Sequence, residues 1–244
     1  TLGLTGTFTV PADAGNYYAH LRAGDLAGNW SPTLHLGPFK IDGQTPGAPI
    51  ALTPDPPDWT NQNQFLLFWI NPDDLSGVAG VYYKLGAPPA SNFDGTWVAG
   101  DNRTMITNLT VSGDGEHTVY VWLRDKAGNV DYARHATATL LYDGTAPAPP
   151  NNLVVTPAVW TNVNAFNLSW VNPPSAASIV GAYYKLDAIP TSPTDGSYVA
   201  SPNIQNIFNV RVTGDGNHIV YVWLRDAAGN VDHTQRASAT LRVV

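Results

Sequence analysis

The chain has 244 residues, 43% hydrophobic and only 13% charged, against about 25% charged in an average soluble protein, so it can build packed cores and wholesale disorder is excluded. Its 22 Gly and 20 Pro punctuate the chain too often for long helices, and the lack of cysteine excludes disulfides, thiol catalysis and cysteine-ligated zinc. A net charge of -7 without any basic cluster argues against nucleic acid as a partner, and no apolar run approaches the ~20 residues of a membrane span.

Shifted by 101 residues, the chain lies on itself without a gap. Trp59 falls on Trp160, Trp69 on Trp170, Gly80 on Gly181, Tyr82-Tyr83-Lys84-Leu85 on Tyr183-Tyr184-Lys185-Leu186 and Asp125 on Asp226. Residues 43–143 and 144–244 therefore read as two copies of one unit, identical at about half their positions. Residues 1–42 read as the tail of a third copy, because Asp25-Leu26-Ala27-Gly28-Asn29 repeats Asp125-Lys126-Ala127-Gly128-Asn129, and Lys40-Ile41-Asp42 ends it where Leu141-Tyr142-Asp143 ends the next. In that tail the expected strands are Thr5 to Val10, Tyr17 to Arg22 and Leu34 to Ile41. They match the last three strands of a sandwich, E, F and G, and leave Phe8, Val10, Ala19 and Leu21 without a core tryptophan to pack on. The expectation is a fragment cut from mid-domain, or one whose missing strands come from another chain.

Within 43–143 the apolar period is two, the signal of a strand with one buried face. Phe65, Leu67 and Trp69 alternate with Leu66 and Phe68, as Phe166, Leu168 and Trp170 alternate with Asn167 and Ser169. Further runs at Val81 to Leu85, Thr96 to Ala99, Thr107 to Val111, His117 to Arg124 and Ala136 to Leu141 are separated by Gly, Pro, Asn and Asp clusters that break strands. About seven short strands in about 100 residues point to an antiparallel sandwich, with Ala127-Gly128-Asn129 and Ala228-Gly229-Asn230 in the last hairpin turn. The junctions Asp42-Gly43-Gln44-Thr45-Pro46 and Asp143-Gly144-Thr145-Ala146-Pro147 are short and proline-rich, hence extended and semi-rigid, so the modules are expected to run end to end.

These residues resemble a family. Leu67-x-Trp69-x-Asn71-Pro72 is similar to the B strand of fibronectin type III domains, and Gly80-Val81-Tyr82-Tyr83-Lys84 to the C strand. The Asp-x-Ala-Gly-Asn turns and the Asp-Gly-x-x-Pro junctions resemble the bacterial Ig-like repeats strung along prokaryotic surface and secreted proteins. The resemblance covers the whole chain and implies an all-β fold of tandem Ig-like, fibronectin type III-like antiparallel β-sandwiches. It departs at the start of strand F, where the fold places a corner tyrosine and the two full copies carry His117 and His218, while the partial one carries Tyr17.

The candidate sites are few. His117 and His218 read as structural corner residues bonding backbone at the preceding turn rather than as catalytic bases, because nothing supplies a nucleophile or a substrate pocket. His20, His35, His135 and His233 show no metal-ligand spacing. Asp73-Asp74 reads as a solvated loop, since the second copy has Pro174 and Ser175 there, and Asp42 and Asp143 have too few acids nearby for calcium, which takes six to eight oxygens. No phosphate loop, Gly-x-Ser-x-Gly elbow or zincin helix occurs, so an enzyme is not expected, nor any cofactor.

The most suggestive constellation lies on the outer face of the C and F strands. If Val81, Tyr83 and Leu85 point inward with Val119, Val121 and Leu123, alternation sends Tyr82, Lys84, Tyr120, Trp122 and Arg124 outward together. The second copy repeats them as Tyr183, Lys185, Tyr221, Trp223 and Arg225. Such a row is either a glycan-stacking platform or a self-satisfied ladder of cross-strand aromatic and cation-π contacts capped by Arg and Lys stems, and the second reading is preferred. Together these features suit non-catalytic extracellular spacer repeats of a prokaryotic surface, filament or surface-layer protein. Their partners would be other modules of a longer chain, and neighbouring subunits or glycans. The alternative is a carbohydrate-binding or adhesion module on a secreted hydrolase or adhesin. The Asn-x-Ser/Thr sequons at Asn29, Asn102, Asn108 and Asn167 matter only in a host that glycosylates, and Asn/Thr-rich chains also make such sequons by chance. Trp69, Trp170, His117 and His218 are the expected structural core residues.

Overall fold

The computed structural model describes residues 7–10 and 16–244. Among them every regular element is a strand, all sheets are antiparallel pairs where register is defined, and no helix is long and apolar enough to cross a membrane. The chain divides into two compact units, one of residues up to Thr53, Leu67–Ile106 and Thr118–Ala138, the other of Pro54–Leu66, Thr107–His117 and Thr139–Val244.

The second repeat lies wholly in the latter unit. Its strands β10 (Asn151–Thr156), β11 (Phe166–Val171) and β14 (Asn206–Val210) form a three-stranded sheet in the order β10-β11-β14. Its strands β12 (Ile179–Leu186), β13 (Ser197–Ala200), β15 (Gly216–Asp226) and β16 (Val231–Val243) form a four-stranded sheet in the order β13-β12-β15-β16. That is the three-plus-four strand distribution of the seven-stranded sandwich. Phe166, Leu168 and Trp170 alternate buried with Asn167 and Val171 exposed, and they join Ile207, Val210, Val220, Val222, Leu224 and Leu241 in one core. Burial of Trp170 requires a partner for its indole N–H, and Asn172 two residues on supplies its Oδ1 at 2.8 Å. Asn71 does the same for the buried Trp69 at 2.8 Å, which explains the Trp-x-Asn spacing.

The first repeat has the same two strand orders. Strands β3 (Ile50–Asp55), β4 (Phe65–Ile70) and β7 (Met105–Leu109) are ordered β3-β4-β7, and β5 (Val78–Leu85), β6 (Thr96–Ala99), β8 (Gly115–Asp125) and β9 (Ala136–Tyr142) are ordered β6-β5-β8-β9. Strands β5 and β8 start earlier than the expected Val81 and His117, and two further features differ from the sequence reading. The first strand of each sandwich, β3 or β10, gave no recognisable run, because a residue with positive φ, Ala51 or Asn152, interrupts it and its proline-rich continuation reads as loop. Strand β7 starts and ends two residues earlier than Thr107 to Val111. Past Leu109 a side chain replaces the neighbouring strand: Asn63 donates Nδ2 to the Val111 carbonyl and accepts the Val111 N–H on Oδ1, both at 2.8 Å. Asn164 repeats this on Val212 at 2.7 and 2.9 Å.

Near the N-terminus, β1 (Tyr17–Leu21) and β2 (Leu34–Phe39) form a two-stranded sheet, each shorter at its C-terminal end than its expected range. Of the expected strand from Thr5 to Val10, Thr5 and Gly6 lie outside the described residues, and 7–10 have no regular structure. Leu21 and Phe39 are 53% and 42% exposed, whereas their repeat equivalents Val121 and Leu140 are fully buried. Asp25 organises the intervening turn by accepting the Ala27 and Asn29 N–H groups at 3.0 and 2.8 Å.

Candidate functional site

Strand register brings the aromatic residues together. Tyr82 on β5 lies opposite Trp97 on β6 and Trp122 on β8, while Lys84 lies opposite Tyr120. The Tyr82 and Trp122 rings stack at 5.5 Å with a 13° interplanar angle, and Trp97 tilts onto Tyr82 at 4.7 Å. The second repeat reproduces the stack with Tyr183 and Trp223 at 5.5 Å and 10°, with Tyr198 in the place of Trp97.

The tryptophans at the centre of this face are closed off, although Trp97 and Tyr198 at its edge remain exposed. Trp122 and Trp223 are 0% exposed, because the segment after β5 or β12 folds across them. The Trp122 indole N–H donates to the Asn92 carbonyl at 2.9 Å and that of Trp223 to the Pro193 carbonyl at 2.8 Å. Lys84 and Lys185 anchor the cover from the same face, each placing Nζ 2.7 Å from a carboxylate, Asp94 or Asp195. Those carboxylates in turn accept the Ala90 or Thr191 N–H at 2.7 Å. The Lys185 hydrogen bond, then the Thr191 amide and hydroxyl, pull the Asp195 carboxyl down to about 2. The lysines thus tie down a loop rather than lying over rings. The arginines do lie near rings, Arg124 over Trp97 at 5.8 Å and Arg225 over Tyr198 at 5.9 Å. Tyr120 meets the edge of His135 at 5.3 Å and Tyr221 lies under Arg236 at 5.8 Å. Strand alternation placed these side chains on one face, but it carries no information about a loop that covers that face.

The corner histidines face the turn before their strand. His117 Nε2 lies 2.9 Å from the Gly113 carbonyl, and His218 Nε2 lies 3.1 Å from that of Gly214. The two copies differ in burial: His218 is buried as expected of a core residue, whereas His117, expected to match it, is only half-buried. Asp187 causes the difference. Its Oδ2 lies 2.7 Å from His218 Nδ1, whereas the first copy has Gly86 at that position. The Asp187 hydrogen bond raises the His218 pKa, and the same bond lowers that of Asp187.

A second constellation sits at the junctions. The Asp42 main-chain carbonyl accepts the Asn129 Nδ2–H at 2.9 Å, and its Oδ2 accepts the Ser76 N–H at 3.0 Å. Asp143 is held in the same way, its carbonyl by Asn230 Nδ2 at 2.7 Å and its Oδ2 by the Ala177 N–H at 2.8 Å. Asn129 and Asn230 belong to the Ala-Gly-Asn turns, where Asp125 and Asp226 also bind their side-chain amides at 2.8 and 2.9 Å. The strict recurrence of Asp-x-x-Gly-Asn with a terminal Asp is the signal that could have revealed this contact, but sequence spacing shows only the turn.

The Asp73-Asp74 loop is not wholly solvated. Asp73 is exposed, but Asp74 is half-buried and joins Asp42 and Asp125, with one carboxylate oxygen of each within 4.8 Å of the others. Desolvation, then the charges of Asp42 and Asp125, raises the Asp74 pKa, and desolvation chiefly raises that of Asp226. This group is the place in the first repeat where carboxylates could share a cation. It offers three acids against the six to eight oxygens calcium takes, and Ser175 replaces Asp74 in the second copy.

No protein-family model and no curated protein matches the sequence. Among solved structures, the chain is similar to the crystal structure of chicken CNTN1 FN1–FN3 domains, with 12% identity and a TM-score of 0.41 over 92% of this chain and 75% of that one.

Proposed function

We propose that the chain consists of non-catalytic structural repeats that act as spacers: two complete Ig-like sandwiches, 43–143 and 144–244, preceded in 1–42 by the last strands of another. Their setting is extracellular, in a surface, filament or surface-layer protein of a prokaryote, and their partners are other modules of a longer chain. The observation that carries this reading is the repeated capture of a terminal aspartate. Asp42 and Asp143 are each gripped through carbonyl and carboxylate by the Asn of the following Ala-Gly-Asn turn and by an amide of the segment before β5 or β12. Both grips come from the repeat that follows the aspartate, so the end of one repeat is fastened to the next, which suits a spacer under load. The carbohydrate-binding alternative has lost its main support, since the faces of Trp122 and Trp223 are buried.

Pulling the chain from its two ends tests the reading. Two cooperative unfolding steps are expected, each releasing roughly 30 nm of chain as a unit of about 100 residues extends. Gradual extension without discrete steps would refute it.

A further inference from the structure

The β1–β2 hairpin carries a juxtaposition that sequence spacing conceals. His20 and His35 are direct cross-strand partners, fifteen residues apart in the chain. Their Nδ1 atoms lie 2.5 Å apart, with ring centroids at 4.6 Å and the ring planes at 84°. Both side chains are exposed to solvent. Two imidazole lone pairs that face each other repel unless something positive lies between them. In the free protein a single proton, shared as Nδ1–H···Nδ1, fills that role.

We propose that His20 and His35 form a two-imidazole chelate across β1 and β2 for a divalent first-row cation of the nitrogen-preferring kind, Cu2+, Ni2+ or Zn2+. Such ions take imidazole nitrogen at about 2.0–2.1 Å, which sets two nitrogens about 3 Å apart, so the rings need to open by less than about 1 Å. The exchange balances without net proton release: the cation accepts both Nδ1 lone pairs, and the ring that carried its single proton on Nδ1 carries it on Nε2 instead, exchanged through solvent, as the other ring already does. Water completes the coordination sphere, which the exposure of the pair allows. Arg22, on the same strand face as His20, is engaged over Trp30 at 5.3 Å. The site is particular to residues 1–42, because Tyr120 and Tyr221 stand at the His20 position in the full repeats. A bound ion would cross-link the two strands of a hairpin whose apolar side chains are largely exposed.

Titrating the whole chain with ZnSO4, while following the ring nitrogens of all six histidines by NMR, tests this. The expected result is one saturable equivalent that shifts His20 and His35 together, with His117, His135, His218 and His233 unmoved. His20→Ala and His35→Ala should each weaken binding about tenfold or more, with the circular dichroism of the chain unchanged. Cu2+ added at one equivalent should show two nitrogen ligands in its electron paramagnetic resonance spectrum. Zinc that fails to shift the pair, or that binds the double variant as tightly as the wild type, would overturn the proposal.

Discussion

Trp223 stacks on Tyr183 at 5.5 Å with only 10° between the rings, and no part of the indole reaches solvent. An aromatic pair on the outer face of a sheet has thereby become a second core, closed by the segment that Asp195 and Lys185 pin down. Trp223→Ala is expected to cost about 3–5 kcal/mol, the same range as Trp170→Ala in the central core. Denaturant melts check it, and a loss under about 1 kcal/mol at Trp223 would mean that the cover contributes no packing.

The cover also fixes a glycine. A Cβ on Gly196 would lie 2.6 Å from the Trp223 ring and 2.6 Å from the Tyr184 carbonyl oxygen, and the backbone oxygen cannot step aside. Gly196→Ala should destabilise by about 1–3 kcal/mol through overpacking, although alanine is small and the surrounding turn is otherwise permissive. A neutral result in the same melts would show that the loop lifts readily from the ring.

The His218–Asp187 pair sets a pH dependence that the first repeat lacks. The raised His218 pKa gives stability that is fully present below the unfolded histidine value and is lost as pH rises through the folded one. The lowered Asp187 pKa gives stability present above the unfolded aspartate value and lost as pH falls through the folded one. The pair therefore contributes most between about pH 4 and 6.5. Amide exchange at Val220 and Val222 should show protection that weakens from pH 5.5 to 8.5 after correction for intrinsic rates, and Asp187→Asn should flatten that trend. Identical corrected profiles would remove the pair from the account.

At Asp74 the sign is opposite. Its raised pKa is the cost of burying the carboxylate and then of crowding it against Asp42 and Asp125, a cost present at neutral pH and relieved as pH falls through the raised value. Asp74→Ser, which installs the residue of the second copy, should leave stability at pH 7 close to the wild-type value and reduce the gain that the wild type shows on mild acidification. A wild-type chain that loses stability in the first repeat over that range would contradict this.

Strand identity was readable where side chains alternate, as at Phe65, Leu67 and Trp69 or Phe166, Leu168 and Trp170, because a half-buried strand writes its period into the sequence. Strand β10 left no such trace: its bulge at Asn152 shifts the register. The shared face of Tyr82, Lys84 and Trp122 was equally readable, but its closure depends on where a loop lands. The His20–His35 pair depends on hairpin register, and the grip of Asn230 on Asp143 spans 87 residues. Local periodicity cannot encode either of them.

The central claim is that the side-chain amide of the Ala-Gly-Asn turn holds the aspartate that ends the preceding repeat. Backbone amide exchange in the wild type and in Asn230→Ala tests it most directly. Protection of the Ala177 N–H, which donates to the Asp143 carboxylate, is predicted to fall about tenfold or more in the variant while that of Val220 and Val222 is unchanged. Equal protection of Ala177 in the two chains would contradict it.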